Sequence, residues 1–217
     1  IFLPIVVYEK KQFNKTTNSF NCPVVTGYPE VLESGVIDLA DKNFVIDKIT
    51  INFKDPKLLR KSCQHYLKSL GVRSKTFEFA FQKALEKQEW SKKYIIEENK
   101  RILKKAIQEN RPLILVAGHP YHADPFIHQN VSTILADLGV FVINEEVATY
   151  SEEGFDHFFT ISQWEYTNRI LHAVKWVGEQ SYPMGIVQLN SFGCGLDSII
   201  LGEVKELVNQ KKIPYRS

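Results

Sequence analysis

The sequence predicts an α/β protein built on parallel sheets, and three stretches carry that expectation. Residues 113–143 read as a β-α-β unit: the apolar run Leu113 to Ala117, a helical stripe with Gly139 at its end, then the run Val140 to Ile143. Two such strands are expected to be parallel, with a right-handed crossover. The stretch VQLNSFGCGLDSIILGEVKELV, residues 187–208, reads as strand, loop and helix. An uninterrupted helical stretch, Lys75 to Asn110, separates these from an earlier α/β portion. The organisation expected is a first lobe over 1–54, a helical connector over 55–110 and a second lobe over 111–217.

In chain order, Ile1 to Tyr8 is apolar and rich in β-branched residues, which predicts a buried strand. A polar loop, Lys10 to Asn21, follows. Val24 to Thr26 is predicted as a second strand, with Pro29 opening a short helix that closes near Gly35. Cys22 then lies in the loop just ahead of that strand, held extended by Pro23. Residues 36–54 look irregular apart from one strand, Lys48 to Phe53. Asp55 and Pro56 form an N-cap and first turn, and Gly71 a C-cap, so a helix is predicted over 56–70. Its stripe is Leu59, Cys63, Tyr66, Leu67 and Leu70, where Cys63 reads as a small buried hydrophobe.

The long helix presents Phe77, Phe81, Ala84, Leu85, Trp90, Tyr94, Ile95, Ile102, Leu103 and Ala106 as its apolar positions until Pro112. Its length suits a bridge between lobes or a partner surface. After Ala117 comes GHPYHADP, in which Asp124 and Pro125 are predicted to cap a helix striped by Ile127, Val131, Ile134, Leu135 and Leu138. Residues 144–159 read as an acidic and aromatic loop. Ile161 to Gln180 is predicted as a helix with Ile170, Ala173, Val174 and Val177 inward.

Composition narrows the function classes. With 44% hydrophobic and 24% charged residues the 217-residue chain can bury a sizeable core. A net charge of +2 and a pI near 8.3 give no reason to expect nucleic acid or an anionic membrane as partner. No apolar run approaches the roughly 20 residues of a membrane span. Three widely spaced cysteines fit a reducing compartment, so the expected location is cytoplasmic. The chain starts inside an apolar run and its single methionine is Met184, which reads as a piece of a longer polypeptide. No dinucleotide fingerprint, Walker A loop or nucleophile elbow is present, so a self-contained NAD-dependent or ATP-cleaving enzyme is not expected.

The candidate chemistry lies in three loops: around Cys22, in GHPYHADP and around Cys194. Loops on the rim of an α/β sheet can converge although distant in sequence. Gly193 and Gly195 flank Cys194 and let a bulky ligand approach, and Asp197 is expected as the cap of the following helix. Ser191, at the start of that loop, is placed with His119, Tyr121, His122 and Asp124 as cleft or ligand-binding residues. His119 and His122 are read as facing an anionic or acyl ligand at a helix N-terminus. Zinc at these imidazoles is a minority reading, and the plainest alternative has Asp124 capping its helix while the imidazoles bond to neighbouring loops.

Five blocks, in order, resemble one family: FNCPVVTGYPEVL, LLRKSCQHYLKSLGV, RPLILVAGHPYHADPFI, QWEYTNRILHAVKWVGEQ and VQLNSFGCGLDSI. They are similar to the CoA-enzyme activase-associated domain, within the group of 2-hydroxyacyl-CoA dehydratases, benzoyl-CoA reductases and double-cubane cluster proteins. The resemblance implies flavodoxin-like, or Rossmann-like, lobes and an iron–sulfur protein of an anaerobic bacterium. It implies a cubane or double-cubane cluster whose ligands match Cys22 and Cys194, but not Cys63. Relatives carry a further cysteine upstream of the first strand, so a fragment without it is expected to be a ligand short and can lack the cluster. The implied partners are an ATP-hydrolysing activase domain or subunit, a CoA thioester or other small substrate, and a second copy in a full-length dimer. Relatives commonly have Arg where His119 stands, which removes a bidentate anion contact here. The resulting expectation is a cluster-binding oxidoreductase component fed with low-potential electrons. Its rival is a non-catalytic scaffold domain of a large activase fusion.

Overall fold

The computed structural model describes residues 1–13, 16–35, 45–148 and 163–217. The irregular stretch expected at 36–44 and the acidic loop from 149 onward lie outside them. The chain divides into two compact units, residues 1–88 with 162–165, and 89–161 with 166–217. Both contain parallel strands, so the chain is α/β as predicted.

In the first unit, β1 (Ile5–Tyr8) pairs in parallel with β2 (Thr50–Asn52), Val6 opposite Ile51. The strand predicted at Val24 to Thr26 is instead part of a helix, α1 (Pro23–Gly35), and Pro29 lies inside it. Pro23 suits a first turn because the N–H it lacks would have no intrahelical partner. The Thr26 N–H bonds the Cys22 carbonyl at 2.9 Å, closing that turn. The Thr26 hydroxyl donates to the Val6 carbonyl at 3.0 Å and ties α1 to β1. Here a local β-branched run yields to capping and tertiary contact. The α2 helix (Pro56–Ser69) forms as predicted, with Asp55 Oδ1 accepting the Lys57 and Leu58 N–H groups at 2.8 and 3.1 Å. Gly71, at φ +80°, closes it.

The α3 helix (Ser74–Glu109) is 36 residues long, about 54 Å at 1.5 Å per residue. Its first half buries Phe77 in the first unit, and its second half buries Ile96, Asn99 and Ala106 in the second. Trp90 and Tyr94, predicted on its apolar stripe, are each 53% exposed and stack on one another with ring centroids 5.4 Å apart.

The second unit is built on one parallel sheet of order β4-β3-β5-β6: β3 (Leu113–Ala117), β4 (Phe141–Asn144), β5 (Gly185–Gln188) and β6 (Tyr215–Arg216). Two-residue β6 was not expected, because it is too short to show periodicity. The chain leaves β3 for β4 on one side, then recrosses to β5 on the other. Between β3 and β5 the connections therefore depart in opposite directions, opening a crevice at the strand C-termini. The helix predicted from Pro125 is shorter. A 3-10 turn covers Pro120–Ala123, hydrogen-bonded turns follow, and α4 is Val131–Asp137. Gln129 and Asn130 adopt φ of 51° and 58°, which stops a helix from running through them. As a result Ile127, Ile134 and Leu138 of the predicted stripe are exposed. The α5 helix (Glu165–Glu179) buries Ile170, Leu171, Ala173, Val174 and Val177, and α6 (Gly195–Lys211) buries Ile200, Val204 and Val208. Among the described residues no helix is long and apolar enough to cross a membrane.

Candidate functional site

The register Ala117↔Gln188 brings the ends of β3 and β5 side by side, and the Leu189 N–H extends the pairing to the Ala117 carbonyl at 2.8 Å. Two loops leave from this point, 118–124 and 189–194. In the first, a Cβ on Gly118 would stand 2.7 Å from His122 Nδ1, so glycine lets His122 fold back under its own loop. The His119 N–H donates to His122 Nδ1 at 3.0 Å, and the His122 N–H to the His119 carbonyl at 2.9 Å.

Asp197, on the first turn of α6, joins the two loops. Its Oδ2 accepts the Ser191 N–H at 2.8 Å, and its Oδ1 lies 2.7 Å from His119 Nε2. Burial works against ionising this carboxyl, yet the His119 and Ser191 hydrogen bonds hold it below the usual carboxylate range. His119 Nε2 is then the donor, since an ionised carboxylate only accepts. His122 accepts at Nδ1, so its neutral ring carries the proton on Nε2 and donates it to Ser191 Oγ at 3.2 Å. Burial, and next the proximity of His119, push the His122 pKa below its ordinary value, in keeping with that neutral form. Tyr121 completes the network, its hydroxyl 2.7 Å from Ser191 Oγ and its ring parallel to His119 at 5.3 Å.

Cys194 is the N-cap residue of α6, and its carbonyl accepts the Ser198 N–H at 3.1 Å. Asp197, predicted as the cap, stands three residues further on and on the same side of the turn. Gly193 has φ +78°, and a Cβ at Gly193 or Gly195 would meet nothing within 4 Å. The thiol is therefore presented by a short, open loop. One ligand atom each from His119, Cys194 and Asp197 lies within 4.8 Å of the others, a grouping able to hold a metal ion.

A cavity of about 380 Å³ adjoins the rim, with Asn99, His119, His122, His128, Asn144 and Glu145 among its lining residues. Asn99 Nδ2 donates to Asn144 Oδ1 at 2.7 Å, tying α3 to the end of β4. Burial raises the Glu145 pKa from 4.5 to about 6, although Arg169 lies 3.7 Å away and favours the ionised form. Arg169 is buried and also pairs with Glu146.

Of the predicted site residues, His119, Tyr121, His122 and Ser191 form one hydrogen-bonded network with Asp197. Asp124 is outside it: exposed, with Oδ1 accepting the Phe126 N–H at 2.8 Å, it caps a turn and not a helix. Both His122 ring nitrogens are engaged in hydrogen bonds, Nδ1 with the His119 N–H and Nε2 with Ser191 Oγ. Cys22 belongs to the first unit, 5% exposed just ahead of α1, with its N–H on Asn21 Oδ1 at 2.8 Å. Cys63 is half-buried on α2, and burial pushes its thiol pKa up. Asp197 as the link between the loops, and the Glu145 and Arg169 pair, were not foreseen. Only the i, i+3 spacing of Cys194 and Asp197 hinted at the former.

No curated protein and no solved structure matches the chain. The family model described as the CoA enzyme activase uncharacterised domain matches residues 1–147, taking in Cys22 and the histidine loop and ending before Ser191, Cys194 and Asp197. That match covers more than half of the chain, which belongs to this CoA enzyme activase domain family.

Proposed function

We propose that the protein is an iron–sulfur cluster-binding component of an oxidoreductase related to 2-hydroxyacyl-CoA dehydratases, reduced by an ATP-hydrolysing activase. Family membership supports the activase partner. The observation that carries the cluster is the setting of Cys194: a helix N-terminus, flanking glycines with open space at both, and two further donor groups within 4.8 Å. A bulky cluster needs such room, and a helix N-terminus favours negative charge on its thiolate ligand. The proposed thiolate ligands are Cys194 and Cys22. When bound, the cluster supplies low-potential electron transfer.

The chain's own residues hold and shield. Asp197 fixes the His119 ring, and the contacts among Tyr121, His122 and Ser191 pin the two loops beside Cys194. Among the described residues no lysine or arginine lines the cavity, and His122 is held neutral, so a neutral acyl portion of a CoA thioester suits it better than phosphate does. The setting proposed is the cytoplasm of an anaerobic bacterium, with the full-length protein acting as a dimer. Anaerobic reconstitution with iron and sulfide tests the reading. Cys194→Ser and Cys22→Ser should lose bound iron and sulfide while Cys63→Ser keeps both, and equal retention by all three would refute it.

The second reading is a scaffold domain with no redox role. The exposed aromatic side chains of α3, Phe79, Trp90 and Tyr94, favour it. Protein that stays folded and iron-free through reconstitution while still binding its activase would establish that reading.

A further inference from the structure

We propose that His119 is a metal ligand: one of its ring nitrogens and the Cys194 thiolate hold the same transition metal, with Asp197 as the carboxylate that orients the imidazole. The inference rests on the proposed reading only in that Cys194 carries metal. It departs from an all-thiolate site by giving that metal mixed nitrogen and sulfur ligation.

Three observations carry it. The candidate ligand atoms of His119, Cys194 and Asp197 lie within 4.8 Å of one another. Metal bonds of about 2.0 Å to nitrogen and 2.3 Å to sulfur put tetrahedral ligand atoms roughly 3.5 Å apart. The His119 and Cys194 atoms thus need to close by no more than about an ångström, within reach of side-chain adjustment on the open Cys194 loop, while Asp197 keeps its bond to the imidazole.

His119 is also only 3% exposed, and its Nδ1 has no hydrogen-bond partner. A buried imidazole kept for packing normally satisfies both nitrogens, so the bare Nδ1 of His119 is open to an occupant. Meanwhile its Nε2 lies 2.7 Å from Asp197 Oδ1. An imidazole bonded through one nitrogen to a carboxylate and bare at the other is the pattern by which proteins orient metal-ligating histidines.

Finally, the ring is held before any metal arrives. Asp197 is anchored by the Ser191 N–H at 2.8 Å, and Tyr121 lies parallel to the imidazole. Such support lowers the ordering cost of binding. The donors select the metal: thiolate and imidazole suit zinc or ferrous iron, and not magnesium or calcium.

Cobalt(II) titration of the iron-free protein, kept anaerobic, tests the assignment. One cobalt per chain should bind with thiolate-to-cobalt charge-transfer absorption and the strong visible bands of a four-coordinate ion. Cys194→Ser should abolish the charge-transfer band. His119→Gln and Asp197→Asn should each weaken binding about tenfold or more. His65→Gln, altering an exposed histidine of α2, should change nothing. The wild-type complex gives a readout independent of any variant's folding: a paramagnetically shifted, exchangeable imidazole N–H proton, reporting the His119 ring. Absence of that resonance, or unchanged affinity in folded His119→Gln, would overturn the inference. Reconstituting the same proteins with iron and sulfide separates the two proposals. A cluster that forms while cobalt binding ignores His119 removes this inference alone. His119-dependent cobalt binding without any cluster removes the cluster reading alone.

Discussion

Asp197 shows how a single carboxylate organises a rim. It receives the Ser191 N–H from one loop and His119 Nε2 from the other, both below 3 Å at 2.8 and 2.7 Å. Asp197→Ala should destabilise the protein by about 2 kcal/mol in urea unfolding, because His119 Nε2 and the Ser191 N–H would be left without their acceptor. Ser191→Ala removes the acceptor of the His122 Nε2 proton and should cost about 1 to 2 kcal/mol. Glu145 gives a pH signature of opposite sign to that of most paired carboxylates. Its folded pKa, about 6, stands above the unfolded value of 4.5, so its contribution is full below 4.5 and lost as pH rises through 6. A shift of that size is worth about 2 kcal/mol, and Glu145→Gln should flatten stability across the same window. The histidines, Tyr121 and Ser191 could be named from the sequence because ligand-type side chains gather in turn-rich loops. Asp197 was read as a helix cap, since sequence spacing cannot show that a carboxylate three residues past Cys194 also reaches a loop 78 residues away.

At the level of elements, local signals succeeded where capping and periodicity agreed. Asp55, Pro56 and Gly71 delimit α2, and Asp55→Ala should lower stability by about 1 kcal/mol. They failed where short runs competed with tertiary contact. Val24 to Thr26 looks like a strand, but Pro23 starts a helix there and Thr26 anchors it to Val6. The stripe from Ile127 to Leu138 looks like a helix, but the left-handed Gln129 and Asn130 delay it to Val131. The α6 helix sets the position of Cys194, and it rests on fully buried Ile200 and Val204. Ile200→Ala should cost about 2 to 4 kcal/mol and loosen the site with the helix. Weaker cobalt or iron retention in that variant, at a temperature where it remains folded, would register the coupling.

For the whole molecule, the α/β class was legible because β3 and β4 are continuous apolar runs on either side of a turn-rich connection. The order β4-β3-β5-β6 was not, since no local pattern states which strand β5 joins. That order matters chemically: pairing β5 with β3 is what brings the Cys194 loop beside His119. The claim on which the account turns is that Cys194 carries a redox-active iron–sulfur cluster. The most direct measurement is low-temperature electron paramagnetic resonance of the anaerobically reconstituted, chemically reduced protein. The account predicts a reduced-cluster signal that integrates to a substantial fraction of the bound iron and vanishes in Cys194→Ser. The same signal at undiminished intensity in the serine variant, or no signal from folded protein, would contradict it.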